Sequence, residues 1–239
     1  MGEEKEYKTV IFDLDGTLYF QKPFRICMAK FLLKKIITHP GTIKDIMIIM
    51  KYRKIRENWT TVPNGKQEQN AMHKDGWSDL DRAQYTYVAG KMHCRPEKVA
   101  EVIGYYMHRA PLILLPAYRD ERLARIIEKL QKRGTQVVIY SDYPVEDKLN
   151  ALRIHVDKSL QFAAADEVID CMKPEPQGLM NILNILERRS EEVLMVGDRM
   201  EKDGLCAKSN DVDYVILESS ISKRILTEEK LEKMLQLEV

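Results

Sequence analysis

The chain has 239 residues, 44% of them hydrophobic and 31% charged, so it can bury a substantial core and does not have the composition of a disordered protein. Its formal net charge of +1 provides no global field to attract nucleic acid or an anionic membrane, and no apolar run approaches the roughly 18 residues of a transmembrane helix. The four cysteines lack the spacing of a zinc site. We therefore expect a cytoplasmic protein with free thiols, no membrane span and no nucleic-acid partner.

The first predicted element is a short buried strand at residues 8–12, rich in β-branched and aromatic side chains. It ends in an acidic turn that contains Asp13, Asp15 and Gly16. Long helix-like stretches follow, such as residues 24–37 and 43–55, without alternating strands between them. This change of pattern predicts a helical insertion at residues 21–111.

The remainder of the chain alternates between predicted strands and predicted helices. Helical spacing of apolar residues marks three segments, and short apolar runs mark four strands between and after them. The predicted helices lie near residues 123–130, 179–186 and 203–208, and the predicted strands at 136–140, 167–170, 192–196 and 214–217. This order predicts an α/β fold, a Rossmann-like doubly wound parallel sheet formed by residues 1–20 and 112–239, with the helical insertion as a cap domain.

Polar residues follow three of the predicted strands, at the edge where parallel sheets bind ligands. Asp13 and Asp15 follow the first strand, and Ser141 and Asp142 the second. A later strand is followed by the run from Gly197 through Asp198 to Asp203, and Lys173 precedes that strand. Each of these positions has a purely structural explanation on its own, such as a turn at Asp15–Gly16 or a helix N-cap at Asp203. Their occurrence together and in this order favours a shared site.

These four segments, in this order, resemble the signature motifs of the haloacid dehalogenase-like hydrolase superfamily. The resemblance covers most of residues 8–20 and 116–217. It implies a Rossmann-like core with a helical cap of the superfamily's first type. It also implies that Asp13 attacks phosphorus to form an aspartyl phosphate, and that Asp15 acts as general acid and then as general base.

The resemblance further implies a magnesium site. Carboxylates that converge on a phosphate dianion repel it, so a hard cation with oxygen ligands is expected there. Asp13 and Asp198 would supply side-chain ligands, Asp15 its backbone carbonyl, and Asp203 would orient the ligands from behind. A second group of residues would contact the substrate phosphate. These are Ser141, Asp142 through the turn amides, Lys173 and Gly16.

The expected activity is hydrolysis of a small phosphate monoester. A dehalogenase is disfavoured, because dehalogenases of this superfamily do not carry the second aspartate that Asp15 represents. A phosphomutase has the same core residues and remains open as an alternative, as does a non-catalytic binding protein on the same fold. Phosphonate cleavage would need a cap lysine, and no motif singles one out.

The predicted cap contains a strongly basic stretch at residues 22–56. Ten lysine and arginine residues stand there against Asp45 as the only acid. The stretch is either a surface for an anionic substrate, membrane or nucleic acid, or the solvated side of two amphipathic helices, and the second interpretation is favoured. The sequence does not determine which cap residues face the site, nor the oligomeric state.

Overall fold

A computed structural model of the chain describes residues 5–59 and 76–237 and contains a five-stranded sheet. Every neighbouring pair of strands is parallel, and the order across the sheet is β3-β2-β1-β4-β5. The strands are β1 (Thr9–Phe12), β2 (Gln136–Ser141), β3 (Gln161–Ala163), β4 (Val193–Gly197) and β5 (Asp213–Ile216). The predicted α/β fold with a Rossmann-like parallel sheet is confirmed.

Helices account for most of the remaining described residues. They are α1 (Gln21–Thr38), α2 (Thr42–Glu57), α3 (Asp79–Met92), α4 (Pro96–Ile103), α5 (Glu121–Lys132), α6 (Glu146–Leu152), α7 (Pro176–Ile185), α8 (Leu205–Lys208) and α9 (Ile221–Met234). Short 3-10 or π-helical turns occupy Gly104–Arg109, Ala110–Ile113, Leu115–Tyr118, Lys158–Leu160, Ser190–Glu192 and Met200–Gly204. Within the two described ranges, no helix combines the length and apolar character that a membrane crossing requires.

The central strand and the helix before β2 form where local sequence signals agree. All four residues of β1 are buried, as expected for a strand of a parallel sheet that is covered on both faces. Helix α5 begins at an N-cap, where the Asp120 carboxylate accepts a hydrogen bond from the Leu123 amide at 3.1 Å. Its buried stripe, which includes Leu123, Ile127 and Leu130, packs in the same core cluster as Val10.

The predicted strand at residues 167–170 is wrong, because those residues form a turn. The edge strand is β3, which lies a few residues earlier and pairs with the end of β2. The Asp166 side chain accepts a hydrogen bond from the Ala163 amide at 2.7 Å, and its carbonyl accepts one from the Ile169 amide at 2.8 Å. Asp170 adopts a positive φ of 42°. An aspartate-centred turn therefore replaces the extended backbone that the apolar pair Val168–Ile169 suggested.

The described part of the segment that contains helices α1 to α4 has no strand of the sheet. Most of their buried side chains form a separate cluster, which includes Ile48, Tyr52, Tyr85, Val88 and Val99. A second hydrophobic cluster, independent of the sheet core, is what an inserted domain requires. We propose on this basis that residues 21–111 form a cap domain over a core made by the rest of the chain.

Candidate active site

The carboxyl ends of β1, β2 and β4 lie side by side, because β1 pairs in parallel with both of the other strands. The Asp13 amide donates to the Val196 carbonyl at 2.8 Å, which extends the sheet ladder by one residue beyond β1. Asp13, Ser141 and Asp198 are therefore brought to one edge of the sheet. The three segments predicted separately from the sequence meet there.

Lys173 lies at the centre of this edge and is 1% exposed. Its ammonium donates to the Asp13 carboxylate at 2.7 Å and to the Asp203 carboxylate at 2.6 Å, and it contacts the Tyr140 carbonyl at 3.2 Å. Burial by itself lowers the pKa of Lys173, but the two carboxylates raise it well above its ordinary value. Lys173 is therefore a fixed positive charge between two acids.

Asp203 holds the loop after β4 in place. One of its oxygens accepts from Lys173, and the other accepts from the backbone amides of Asp198 and Arg199 at 3.2 and 3.0 Å. These amides precede Asp203 in the chain, so the alternative interpretation of Asp203 as the N-cap of the following helix is wrong. Both of its oxygens have donors within the protein.

Asp13, Asp198 and Asp203 form an acidic cluster in which one carboxylate oxygen of each lies within 4.8 Å of the others. Burial raises the pKa of Asp13 well above its usual range, and Asp203 and Asp198 raise it further against the opposing charge of Lys173. Burial and Asp203 also raise the pKa of Asp198 to about 6. When all three acids are ionised, one ammonium leaves two negative charges uncompensated, which matches the charge of a divalent cation.

The three acids of the cluster differ in how far their oxygens are already occupied. Asp13 accepts from the Thr17 hydroxyl at 2.8 Å as well as from Lys173. Within the described part of the chain, the Asp198 carboxylate accepts no hydrogen bond, and it lines the same cleft as Asp13. Carboxylate oxygens are hard donors that suit Mg²⁺. The donor set therefore fits magnesium, with Asp13 and Asp198 better placed to bind it than Asp203.

Gly16 is required by the close approach of two loops. Its φ is +100°, and a Cβ atom at this position would lie 2.2 Å from an Asp198 carboxylate oxygen. The buried Arg224 of α9 supports the same turn by donating to the Gly16 carbonyl at 2.9 Å and to the Thr17 carbonyl. Arg224 also pairs with Asp120 at 2.6 Å. The turn between Asp13 and Thr17 is thus held rigidly against the loop that carries Asp198.

Asp15 lies at the same edge but has partners that the sequence did not indicate. Its oxygens accept from the Lys148 ammonium at 2.6 and 2.7 Å, and one of them accepts from the Tyr19 hydroxyl at 2.6 Å. Burial by itself raises the pKa of Asp15, but Lys148 and Tyr19 bring it below its ordinary value. Lys148 and Tyr19 therefore hold Asp15 as a carboxylate, and a substrate that contacts Asp15 must do so beside these two donors.

The predicted phosphate-binding side chains Ser141 and Asp142 are engaged within the protein. The buried Ser141 hydroxyl lies 3.4 Å from an Asp15 oxygen and accepts from the Tyr143 amide at 3.1 Å. The Asp142 carboxylate accepts from the Lys173 amide at 3.0 Å and thereby positions the segment that carries Lys173. Both residues lie where they were predicted, with side chains that orient their neighbours.

The cleft above these residues is closed on one side by helices α1 and α2. Three arginines of these helices, Arg25, Arg53 and Arg56, line it together with Asp13 and Asp198. Arg56 is 2% exposed and connects α2 to the loop after β2. It donates to the Asp142 carbonyl, and its guanidinium carbon lies 4.8 Å from the centre of the Tyr143 ring.

Sequence reasoning missed several of these functional side chains. Thr17 and Tyr19 each follow their carboxylate partner by four residues, a short-range signal that could have been found. No local signal identifies Lys148 or Arg56, because their site contacts lie 133 and 86 residues away in the chain.

Comparison with known proteins gives a family. A model described as haloacid dehalogenase-like hydrolase matches residues 7–211. A comparison with curated proteins gives no match. The match includes every residue of the strand-end site described above.

Solved structures with the same fold cover nearly the whole chain. The HAD-hydrolase YfnB from Bacillus subtilis, whose structure holds magnesium, has a TM-score of 0.60 and 16% identity, covering 98% of this chain and 100% of its own. A HAD phosphatase from Thermococcus onnurineus has a TM-score of 0.57 and 19% identity, covering 95% and 97%. A 2-haloacid dehalogenase from Pseudomonas syringae has a TM-score of 0.54 and 15% identity, covering 88% and 86%. At these identities the likeness establishes the fold, so the reaction must be argued from the residues.

Proposed function

The chain belongs to the haloacid dehalogenase-like hydrolase family, and from this premise we propose that it is a magnesium-dependent phosphatase acting on a small phosphate monoester. The observation that carries the proposal is the buried Asp13 beside Lys173, with Asp15 two residues further along. Asp198 lines the same cleft, and its carboxylate has no hydrogen-bond donor among the described residues. The phosphatase of Thermococcus onnurineus and the magnesium-bound YfnB support it by analogy of fold. The four free cysteines favour a reducing compartment such as the cytoplasm, as part of the same proposal.

In the proposed first step, an Asp13 carboxylate oxygen attacks phosphorus. The bond between phosphorus and the ester oxygen breaks, and Asp15 donates a proton to the departing alkoxide. Because the substrate-free protein holds Asp15 as a carboxylate, this step requires Asp15 to take up a proton as the negatively charged phosphate enters the cleft and raises its pKa. Lys173 offsets the negative charge around Asp13 as the phosphate approaches. The products of this half-reaction are an alcohol and an aspartyl phosphate on Asp13.

In the proposed second step, a water molecule attacks the aspartyl phosphate. Asp15, now a carboxylate, accepts the proton of the water, the bond between phosphorus and Asp13 breaks, and inorganic phosphate leaves. Magnesium bound by Asp13, Asp198 and the Asp15 carbonyl would neutralise charge on the phosphoryl oxygens. Asp203 acts only by orienting Lys173 and the amides of the loop after β4.

Lys148 and Tyr19 fix the orientation of the Asp15 carboxylate in this scheme. Because both donate to its oxygens, the carboxylate cannot rotate freely, and its proton-transfer position is set before substrate arrives. The presence of Asp15 also separates the proposal from dehalogenation, which needs no proton donor for a halide.

Magnesium dependence provides the direct test. We expect release of inorganic phosphate from p-nitrophenyl phosphate in the presence of Mg²⁺, loss of this activity with a chelator, and recovery when Mg²⁺ is returned in excess. The melting temperature should rise with Mg²⁺ concentration, since an ion that binds only the folded state stabilises it, and Asp198→Asn should reduce that rise. Sodium chloride at equal ionic strength is the control. Phosphate release that persists undiminished in chelator would contradict the metal requirement, and transfer of the phosphoryl group to a sugar phosphate without release would indicate a mutase.

Replacement of Lys148 tests the role of Asp15. We expect Lys148→Met to lower kcat by about 10- to 100-fold, a part of the roughly 10²- to 10⁴-fold that a positioned general acid or base supplies, with a smaller change in KM. Lys148→Arg should recover part of the loss because it keeps a donor near Asp15. The control is Lys158→Met, which removes a charge that is exposed and pairs with Glu146 outside the cleft. An unchanged kcat in a folded Lys148→Met protein would show that Lys148 does not position the proton donor.

A further inference from the structure

The cleft that contains Asp13 has a second cationic region on its cap side. Arg25 of α1 and Arg53 of α2 both line it, opposite the strand ends that carry the acidic cluster. Both residues are exposed, so a ligand in the cleft can reach them from solvent. The phosphate site already has its own positive charge in Lys173 and a proposed cation. Two additional arginines are therefore more than one phosphate group requires.

The other basic residues of the cleft are engaged with protein groups. Arg199 pairs with Glu57 and with Glu201 at 2.8 Å, and Lys202 donates to the Lys173 carbonyl at 2.7 Å. Arg56 donates to Tyr52 at 2.9 Å and to Gln84. Within the described residues, Arg25 and Arg53 have neither an ion pair nor a hydrogen bond.

Among the described residues, no acid of the cleft forms an ion pair with either arginine, although the charge of Arg25 contributes to the lowered pKa of Glu57. In the part of the cap that the structure describes, Glu57 is the only carboxylate that lines the cleft, and its ion pair is with Arg199. The other cleft acids follow β1, β2 or β4, where they contact Lys173 and Lys148 or, as Asp198, are proposed to bind the metal. A substrate with its phosphate at Asp13 would thus present the rest of its structure to two guanidinium groups that make no ion pair within residues 5–59 and 76–237.

We infer that Arg25 and Arg53 form a subsite for a second anionic group, so that the substrate is a phosphate monoester whose alcohol part carries a carboxylate or a second phosphate. This inference rests on the proposed phosphatase function. A guanidinium binds either group through two parallel hydrogen bonds, a geometry that a neutral hydroxyl or amide does not match. Arginine at the entrance also attracts an anionic substrate before it docks.

The test compares each anionic substrate with a neutral analogue of the same shape. A series of phosphorylated hydroxy acids of increasing chain length is measured against the corresponding carboxamides, and diol bisphosphates against the monophosphates of the same diols. We expect kcat/KM to favour the anionic member of at least one pair by about tenfold, the scale that two partly exposed charge pairs supply. The series that shows the preference identifies carboxylate or phosphate as the second group.

The double variant Arg25→Gln/Arg53→Gln should reduce this preference to near one, mainly through KM. The matched control is Lys22→Gln/Lys54→Gln, which removes two charges from exposed residues of the same helices that do not line the cleft. Equal kcat/KM for the anionic and neutral members in the wild-type chain would overturn the inference. A preference that survives in the double variant, or one that falls equally in the control, would also overturn it.

Failure of this inference and failure of the phosphatase proposal give different results. If p-nitrophenyl phosphate is hydrolysed but no pair shows a preference, only the second-anion subsite is wrong. If no ester is hydrolysed, the phosphatase proposal is wrong, and calorimetric binding of the same acid and carboxamide to the wild-type chain still decides the subsite. Tighter binding of the acid that disappears in Arg25→Gln/Arg53→Gln would support it, and equal binding would reject it.

Discussion

Asp13→Asn is expected to abolish phosphatase activity, with kcat lowered by roughly 10⁴-fold or more, the scale seen when a covalent nucleophile is removed. The amide is a poor nucleophile toward phosphorus and cannot form the aspartyl phosphate. The substitution also removes the negative charge that lies 2.7 Å from Lys173 and that faces the proposed cation. Burst-phase and steady-state phosphate release from p-nitrophenyl phosphate measure the loss, and acid-quenched protein from the wild-type reaction should carry a phosphoryl group that the variant lacks.

The asparagine side chain has nearly the same shape as aspartate, so the fold should survive the substitution. The folded state is checked by the melting temperature. Asp147→Asn, at an exposed position of α6, controls for the removal of one carboxylate elsewhere. Activity within tenfold of wild type in the Asp13→Asn protein would remove Asp13 from the role of nucleophile.

Lys173→Met is expected to lower both stability and activity. The substitution leaves Asp13 and Asp203 buried without the ammonium that lies 2.7 and 2.6 Å from them, and loss of one partner of a buried pair costs about 3–5 kcal/mol. For a chain of this length, that corresponds to a melting temperature lowered by roughly 10 °C. Turnover should fall by about 10³-fold, because a fixed positive charge near the phosphoryl group is lost.

The stability loss in Lys173→Met should depend on pH in a defined direction. Burial already raises the pKa of Asp13, and Lys173 is the main group that opposes that rise, so its removal lets the pKa of Asp13 rise further. A carboxyl group with a raised folded pKa destabilises the fold once the pH exceeds its unfolded value, and protonation relieves the penalty as the pH falls. The difference in melting temperature between variant and wild type should therefore shrink from neutral pH toward about pH 4, near the unfolded value of aspartate.

Two comparisons make this prediction decisive. Lys173→Arg keeps the charge and should lose less stability, and Lys208→Met, at an exposed position, should lose little. A melting temperature that is lowered equally at all pH values would show that Lys173 stabilises the fold by packing rather than by charge.

The sequence by itself determined the edge of the sheet that carries the candidate active site, because local patterns encode it. The apolar run of β1 followed by Asp13 and Asp15, and the polar residues after the later strands, identify strand ends without tertiary information. Since parallel strands place their carboxyl ends together, Asp198 was predicted near Asp13 before any distance was known. The strand at residues 167–170 was wrong because a three-residue edge strand and an aspartate-centred turn are too short to leave a periodic signal.

The tertiary structure alone decided what each carboxylate contacts. Lys148 contacts Asp15 although 133 residues of chain separate them, and this contact fixes the orientation of the Asp15 carboxylate, which no motif describes. Packing of α1 and α2 over the cleft likewise distinguishes Arg25, Arg53 and Arg56 from the seven other basic residues between 22 and 56. These contacts depend on how elements that are distant in the chain pack together. Hydrophobic periodicity specifies which face of a helix is buried, but it does not specify which charged residue contacts a particular partner.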